Sequence, residues 1–375
     1  MKKVYLDNAS TTPIRDEVIE VMTDVLKNNF GNPSSTYAIG RNAKAAIETS
    51  RKQIAKLLNA NSQEIIFTSS ATESNNWILQ NAVVHLNVNR IITSKIEHHA
   101  VLNTVLELEK RYGIEICFVN LLPNGNINLS HLEELLTEEK PTLVSLMYVN
   151  NEIGNILDIE RVAKLCKEHK AYFHSDTVQA MGKLPIDLQQ IPVDFLIGTA
   201  HKFHGPKGAG FIFVRKGVAL KPLFFGGSQE KGIRAGTEPT HQIVGMAKAL
   251  ELSYQYLEVE KEHISWLKNY LTTQFDQNFP GYKINGDAEN SIYNIINLQL
   301  PFSESLTPTI LFSLDMKGIA VSRGSACQSG SLIPSHVLEE ILPKTEINKP
   351  SLRISFSHQN TKEDIDELVA ALKNL

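Results

Sequence analysis

The chain has 375 residues, 42% hydrophobic and 21% charged, with a formal net charge of −4 and no long basic block. Such a composition is that of an ordinary globular protein long enough for two domains, and it argues against nucleic acid or an anionic membrane as the main partner. The opening Met1-Lys2-Lys3-Val4-Tyr5-Leu6-Asp7 lacks a signal-peptide core, no stretch nears the roughly 18 apolar residues of a membrane span, and three widely spaced cysteines fit a reducing cytoplasm.

In chain order, residues 64–68 read as a strand and 71–79 as the helix that follows it. Further strands are expected at 90–93, 115–119, 142–148, 171–174, 195–197 and 211–214, with helices at 100–112, 132–137 and 159–168 between them. Strands separated by helices imply right-handed crossovers and a mostly parallel, doubly wound sheet. Ligands bind such sheets at the carboxyl ends of the strands. After Gly245, as far as Asn278, the chain has neither Gly nor Pro. That run is too long for an average helix and is expected to bend or break once, at a domain boundary. Strands at 293–300, 318–322 and 351–357 and a terminal helix at 362–373 complete a smaller α+β unit. The expected division is 15–255 for a large domain, with 1–14 and 256–375 forming the small one.

The segment Gly198-Thr199-Ala200-His201-Lys202-Phe203-His204-Gly205-Pro206-Lys207-Gly208 follows an apolar run and sets a hydroxyl, an imidazole and a lysine in one tight turn. A lysine held at a strand end suits Schiff-base chemistry, because its ammonium can be desolvated and its amine made nucleophilic. A solvated surface lysine is the plainer alternative. His174-Ser175-Asp176-Thr177-Val178-Gln179 delivers an acid to the end of another strand. A strand-end Asp with a later strand-end Lys is the pair that pyridoxal phosphate needs: the carboxylate keeps the pyridine nitrogen protonated, and the protonated ring is an electron sink. Alternatively, Asp176 caps the next turn.

Thr68-Ser69-Ser70-Ala71-Thr72-Glu73-Ser74-Asn75-Asn76 joins a strand to a helix through small hydroxyl residues, which suits a phosphate, an ordinary N-cap tuned by Glu73 or Asn75, or both. In Glu97-His98-His99 one histidine could stack on a flat cofactor and shuttle protons. A metal site built with His201 and His204 lacks HExxH spacing. Gly205-Pro206-Lys207-Gly208-Ala209-Gly210 precedes a strand and has the wrong spacing for a P-loop. Ser322-Arg323-Gly324-Ser325-Ala326-Cys327-Gln328-Ser329-Gly330-Ser331 surrounds a cysteine with Gly and Ser, which suits an exposed loop and a thiol nucleophile that visits a site and leaves. Cys117 and Cys166 read as core residues. Gly226-Gly227-Ser228-Gln229-Glu230-Lys231-Gly232-Ile233-Arg234-Ala235-Gly236-Thr237 reads as a loop approaching a phosphate or another subunit. Arg353, inside a strand, needs a partner: a substrate carboxylate or a structural acid.

Together these segments resemble the cysteine desulfurase family, class V of the fold-type I pyridoxal phosphate enzymes. The resemblance runs nearly end to end: Tyr5-Leu6-Asp7-Asn8-Ala9 with Thr11-Thr12-Pro13, Gly31-Asn32-Pro33-Ser34-Ser35, Ala71-Thr72-Glu73-Ser74-Asn75, Asn150-Asn151-Glu152-Ile153-Gly154, His201-Lys202, Gly236-Thr237 and Ser325-Ala326-Cys327. It implies a fold-type I α/β transferase with a mostly parallel seven-stranded sheet. By the same resemblance Lys202 would be the Schiff-base lysine, Asp176 the partner of the pyridine nitrogen, and His98 the stacked acid–base group. Asn151 and Gln179 would meet cofactor or substrate around the ring hydroxyl. Ala71, Thr72, Thr199, Ala200 and His201 would hold the phosphate end, and Thr237 would reach the phosphate of a neighbouring subunit in a homodimer. Arg353, with Asn151, would bind the substrate carboxylate. Cys327 would take sulfur from L-cysteine as a persulfide, release L-alanine and pass the sulfur to an acceptor protein such as an iron–sulfur scaffold. No resident metal is implied; Cys327 would at most ligate an iron–sulfur cluster transiently.

Tyr37 stands where the family usually has histidine, Thr177 where alanine is frequent, and Arg323 adds a charge beside the cysteine segment. Some relatives carry a longer C-terminal tail that helps dock a scaffold, so the end at Leu375 bears on delivery. The alternatives are a selenocysteine or cystine lyase on the same scaffold, which would not need Cys327. A thiol hydrolase or acyltransferase would leave Lys202 and Asp176 without a role, and a non-enzymatic binding protein would leave the whole set without one.

Overall fold

The computed structural model describes residues 3–324 and 335–375. A short strand β1 (Val4–Tyr5) precedes helices α1 (Asp16–Asn28) and α2 (Ala38–Leu57). The alternating region follows: β2 (Ile65–Thr68), α3 (Ala71–His85), β3 (Arg90–Thr93), α4 (His99–Tyr112), β4 (Glu115–Phe118), α5 (Leu129–Leu136), β5 (Thr142–Ser145), α6 (Ile159–Glu168), β6 (Tyr172–Asp176), β7 (Phe195–Thr199) and β8 (Gly210–Val214). These strands form one seven-stranded sheet in the order β2-β8-β7-β6-β5-β3-β4. Its neighbours pair in parallel except for β8, which is antiparallel to both β7 and β2.

Strand periodicity explains how this sheet is sandwiched. Successive side chains point to opposite faces, and both faces are apolar. Ile66, Ile91, Leu143, Phe195, Ile197 and Ile212 enter the core beneath α3 and α4. Their chain neighbours Phe67, Ile92, Val144, Leu196, Phe211 and Phe213 enter the opposite core, which is shared with α2, α6 and the helix after the sheet. Strands covered on both sides are continuous apolar runs. The helices begin where side chains satisfy free amides: Asp158 accepts from Arg161 N–H at α6, Ser70 from Glu73 N–H at α3 and Asn128 from His131 N–H at α5. Helix α4 ends on Gly113, whose φ of 64° suits glycine.

After the sheet, α7 (Thr240–Gln255) and α8 (Leu257–Asn278) break at Tyr256, inside the run without Gly or Pro. Then come β9 (Lys283–Ile284), β10 (Ile295–Gln299), α9 (Ile310–Met316), β11 (Ile319–Ala320), α10 (His336–Ile341), β12 (Ser351–Ser355) and α11 (Lys362–Lys373). Strand β10 pairs antiparallel with β12 and β9, and β11 pairs in parallel with β1. A further apolar core joins Val4 and Leu6 to Leu267, Leu271, Phe275, Leu298, Leu352, Ile354 and Leu368.

Most differences from the sequence expectations are at element ends. The strand expected at 142–148 stops at Ser145; Leu146 and Tyr148 still donate to His174 O and Asp176 O, but the chain has left the ladder to form the turn that follows. The strand at 171–174 is Tyr172–Asp176 and that at 195–197 runs on to Thr199, so Asp176 and Thr199 are terminal strand residues. The helix at 71–79 continues to His85, and the strands at 293–300, 318–322 and 351–357 are shorter. Cys166 is core, but Cys117 lies on the edge strand β4, half-buried, with its thiol 3.3 Å from Glu115.

Candidate active site

The carboxyl ends of β2, β3, β5, β6 and β7 surround a cavity of about 250 Å³. Lys202 enters it from the turn after β7, its Nζ donating to Ala9 O at 2.6 Å and Ser10 O at 2.7 Å. Asp176, the last residue of β6, is held on both carboxylate oxygens: Val178 N–H donates to Oδ1 at 3.0 Å and Asn75 Nδ2 to Oδ2 at 2.8 Å. Asp176 thus caps the next turn while its carboxylate lines the cavity. His98 is the N-cap of α4, and Ala100 N–H donates to its Nδ1 at 3.1 Å. A backbone amide can only donate, so Nδ1 is the acceptor and the proton of the neutral ring sits on Nε2. Burial favours that neutral form and lowers the His98 pKa, against the opposing pull of Asp176.

At the start of α3, Ser70 caps the helix and Ala71 and Thr72 face the cavity. Glu73 accepts from Ser69 N–H and hydroxyl and from Arg234 Nε (3.0 Å) and Nη2 (3.1 Å). Burial alone would raise the Glu73 carboxyl, but Arg234 and Ser69 outweigh it and hold it below the usual range. This pair fastens the 226–237 loop to the helix start. His201 meets Thr11 Oγ1 at 3.2 Å and, chiefly through burial, is depressed to about 4, so it is neutral near pH 7.

Arg353 resolves the two partners foreseen for it by having the structural one while facing the cavity. Its guanidinium donates to Asn151 O (2.9 Å), Asp7 Oδ1 (2.8 Å) and Ser10 Oγ (2.7 Å). Its buried Nε has no partner among the described residues.

Of the expected site residues, Ala71, Thr72, His98, Asn151, Asp176, Gln179, Thr199, His201, Lys202 and Arg353 all line this cavity. Ala200 does not: its methyl is fully buried in the core against Gly205, because the side chain of a residue in that tight turn faces inward while its neighbours face out. Thr237 is exposed, on a loop outside its own chain's cavity. Cys327 lies outside the described residues. Sequence reasoning did not foresee that Ala9, Ser10, Met147, Val149 and Val178 also line the cavity or that Asn75 binds Asp176; the last pair is 101 residues apart, with no local signal.

The donor set matches pyridoxal phosphate. An amine faces the same cavity as a carboxylate held on both oxygens, and a helix N-terminus lies beside them where a phosphate gains from free amides and the helix dipole. Fold and site together define a fold-type I pyridoxal phosphate enzyme. The aminotransferase class-V profile matches residues 4–368. The chain is 42% identical over 376 residues to a cysteine desulfurase IscS of Dictyoglomus turgidum, covering 100% of this chain and 94% of that one. Among solved structures, a NifS-like protein superposes with a TM-score of 0.91 at 35% identity, covering 100% of this chain and 99% of the other. SspA, solved in complex with cysteine, superposes at 0.83 and 31%, covering 96% and 100%. The chain belongs to the class-V aminotransferase family and, within it, to the cysteine desulfurases. It is a pyridoxal phosphate-dependent enzyme.

Proposed function

We propose that the protein takes sulfur from L-cysteine, releases L-alanine and holds the sulfur as a persulfide on Cys327 for an acceptor protein. The observation that carries this reading is the convergence of Lys202, Asp176, His98 and Arg353 on one cavity, and the cysteine complex of SspA supports the substrate. Bound pyridoxal phosphate supplies an electron sink for bond cleavage beside an amino group.

The chain's own residues do the rest. Lys202 would anchor the cofactor, Asp176 would hold the pyridine proton, and Ala71, Thr72, Thr199 and His201 would meet the phosphate. His201, being neutral, can act there as an N–H donor. Asn151 and Gln179 would flank the ring. Arg353 would grip the substrate carboxylate, its other contacts already fixed by Asp7, Ser10 and Asn151. His98, with its proton on Nε2, is set to donate before it accepts, so we assign it a proton-delivering role. The Cys327 thiolate would attack the substrate sulfur, and the C–S electron pair would stay with carbon, which is protonated to give alanine. One thiol and one cysteine thereby yield one persulfide and one alanine. A reductant then frees sulfide, or an acceptor such as an iron–sulfur scaffold takes the sulfur.

We further propose a homodimer in which Thr237 of each chain reaches the neighbour's phosphate; its exposed position, away from its own cavity, supports this. Residues 1–14 and 256–375 would form the smaller domain, a division supported by the separate apolar core that joins Val4 and Leu6 to the C-terminal helices. No helix among the described residues is long and apolar enough to cross a membrane, and we propose a cytoplasmic enzyme.

The test is to incubate the pyridoxal-loaded protein with cysteine and a reductant and to measure alanine and sulfide for wild type and Cys327→Ala. Both products from wild type and neither from the variant is the expected result. Equal turnover by the two overturns the role of Cys327 and favours a selenocysteine or cystine lyase.

A further inference from the structure

Lys183 is buried in the turn that follows Gln179, beneath the cofactor cavity. Gly182, at φ 71°, lets that turn pack closely: a Cβ there would come within 3.0 Å of Ser253 Cβ and 3.1 Å of Phe203 Cβ. The turn therefore holds Lys183 inward. Its Nζ donates to Gln179 Oε1 at 3.1 Å, and this is its hydrogen-bond partner among the described residues. Gln179 Nε2 donates in turn to Ala9 O at 2.9 Å, and the same carbonyl accepts from Lys202 Nζ at 2.6 Å. Two lysines thus meet through one amide and one carbonyl, and Gln179, Ala9 and Lys202 all line the cavity.

A buried amine without an acid partner works against folding, and an apolar side chain of similar length would not. Its retention calls for another use. Burial and the charge of Lys202 lower the Lys183 pKa to about 7, but its Nζ keeps N–H groups to donate in either form. Ala9 O can only accept, and an amide has two unlike ends, so Ala9 O and Lys183 together can hold Gln179 in one of its two orientations. We propose that Lys183 is a positioning residue: it keeps Gln179 Oε1 turned toward itself, so that Gln179 meets a cavity ligand only as an N–H donor. Given the cofactor reading above, on which this inference rests, a fixed N–H donor suits the ionised ring oxygen of pyridoxal phosphate. A flipped amide would set oxygen against oxygen.

The test uses full-length apoproteins titrated with pyridoxal phosphate, followed by visible absorbance and protein fluorescence, with thermal unfolding recorded in parallel. Lys183→Met is expected to melt no lower than wild type while its cofactor dissociation constant rises roughly tenfold, the loss of about one buried hydrogen bond. In a Gln179→Ala background the same change is expected to leave the affinity unaltered, because the group it orients is gone. Unchanged affinity in Lys183→Met, a melting temperature that falls with the affinity, or additive losses in the double variant would each overturn the inference. Wild type that fails to bind pyridoxal phosphate would instead overturn the cofactor reading beneath it.

Discussion

Glu97 precedes His98 and is wholly enclosed: its Oε1 accepts from Met147 N–H (2.9 Å) and Ser94 Oγ (3.2 Å), while its buried Oε2 has no partner among the described residues. Burial, with the nearby charge of Asp176 adding to it, pushes this carboxyl up to about 8 from 4.5. Between those values the folded state holds a proton that the unfolded state has released, so stability falls as pH rises through that window, and the loss is complete above about 8. Glu97→Gln keeps an acceptor for Met147 and removes the titration. Its melting temperature is expected to match wild type near pH 5 and to exceed it by ~5 °C or more at pH 9; a constant offset across that range would refute the assignment. Arg353 poses a different question at the same scale. Arg353→Lys retains charge but loses the planar fork, so KM for cysteine is expected to rise roughly 10- to 100-fold while cofactor absorbance persists. Steady-state kinetics beside a spectrum of the loaded protein would check it, and an unchanged KM would remove Arg353 from substrate binding.

Helix α3 does two things with one end. Ser70 accepts from Glu73 N–H at 3.2 Å, which starts the helix, and the next two residues face the cavity. Ser70→Ala is expected to cost about 1 kcal/mol of stability and to weaken cofactor binding about fivefold, read by denaturant unfolding and by titration; a stability loss with unchanged affinity would separate the cap from the site. This end was legible in the sequence, because small hydroxyl residues between a strand and a helix have a local meaning. So were α6, whose span matches expectation residue for residue, and α11, where Thr361 and Asp364 form a capping box. Strand ends were less legible. Whether a residue stays in the ladder after Ser145 depends on β6, which arrives some thirty residues later. The same limit hid the hold of Asn75 on Asp176 and the inward turn of Lys183: neither has a periodic or compositional mark, and both exist only once the sheet brings distant loops to one edge. Ala200 shows the converse, since it sits inside a chemically rich motif yet faces the core.

Across the whole molecule, neutral histidines join segments far apart in sequence. His174 on β6 meets Ser145 on β5 at 2.9 Å. His201 meets Thr11, and His204 takes a place 2.9 Å from Pro13 O with its ring 4.6 Å from that of His358. The N-terminal segment, the lysine turn and the C-terminal segment thus share one joint. Burial is the main cause that depresses all four, His174, His201 and His358 to about 4 and His204 to about 3, from 6.5. Below 6.5 the unfolded chain protonates these rings and the folded chain does not. Their contribution is therefore whole above 6.5 and is lost as pH falls from there toward the folded values, by about 1.4 kcal/mol per pH unit for each proton taken up. At pH 5 the four rings together call for nearly four protons on unfolding, and Glu97 gives back about one, so these five groups contribute a net uptake of ~3 protons. Calorimetric unfolding of the apoprotein in buffers of differing ionisation enthalpy would measure it. His204→Asn is expected to lower the uptake by about one. An uptake below one in wild type would mean that these rings are already charged in the native joint.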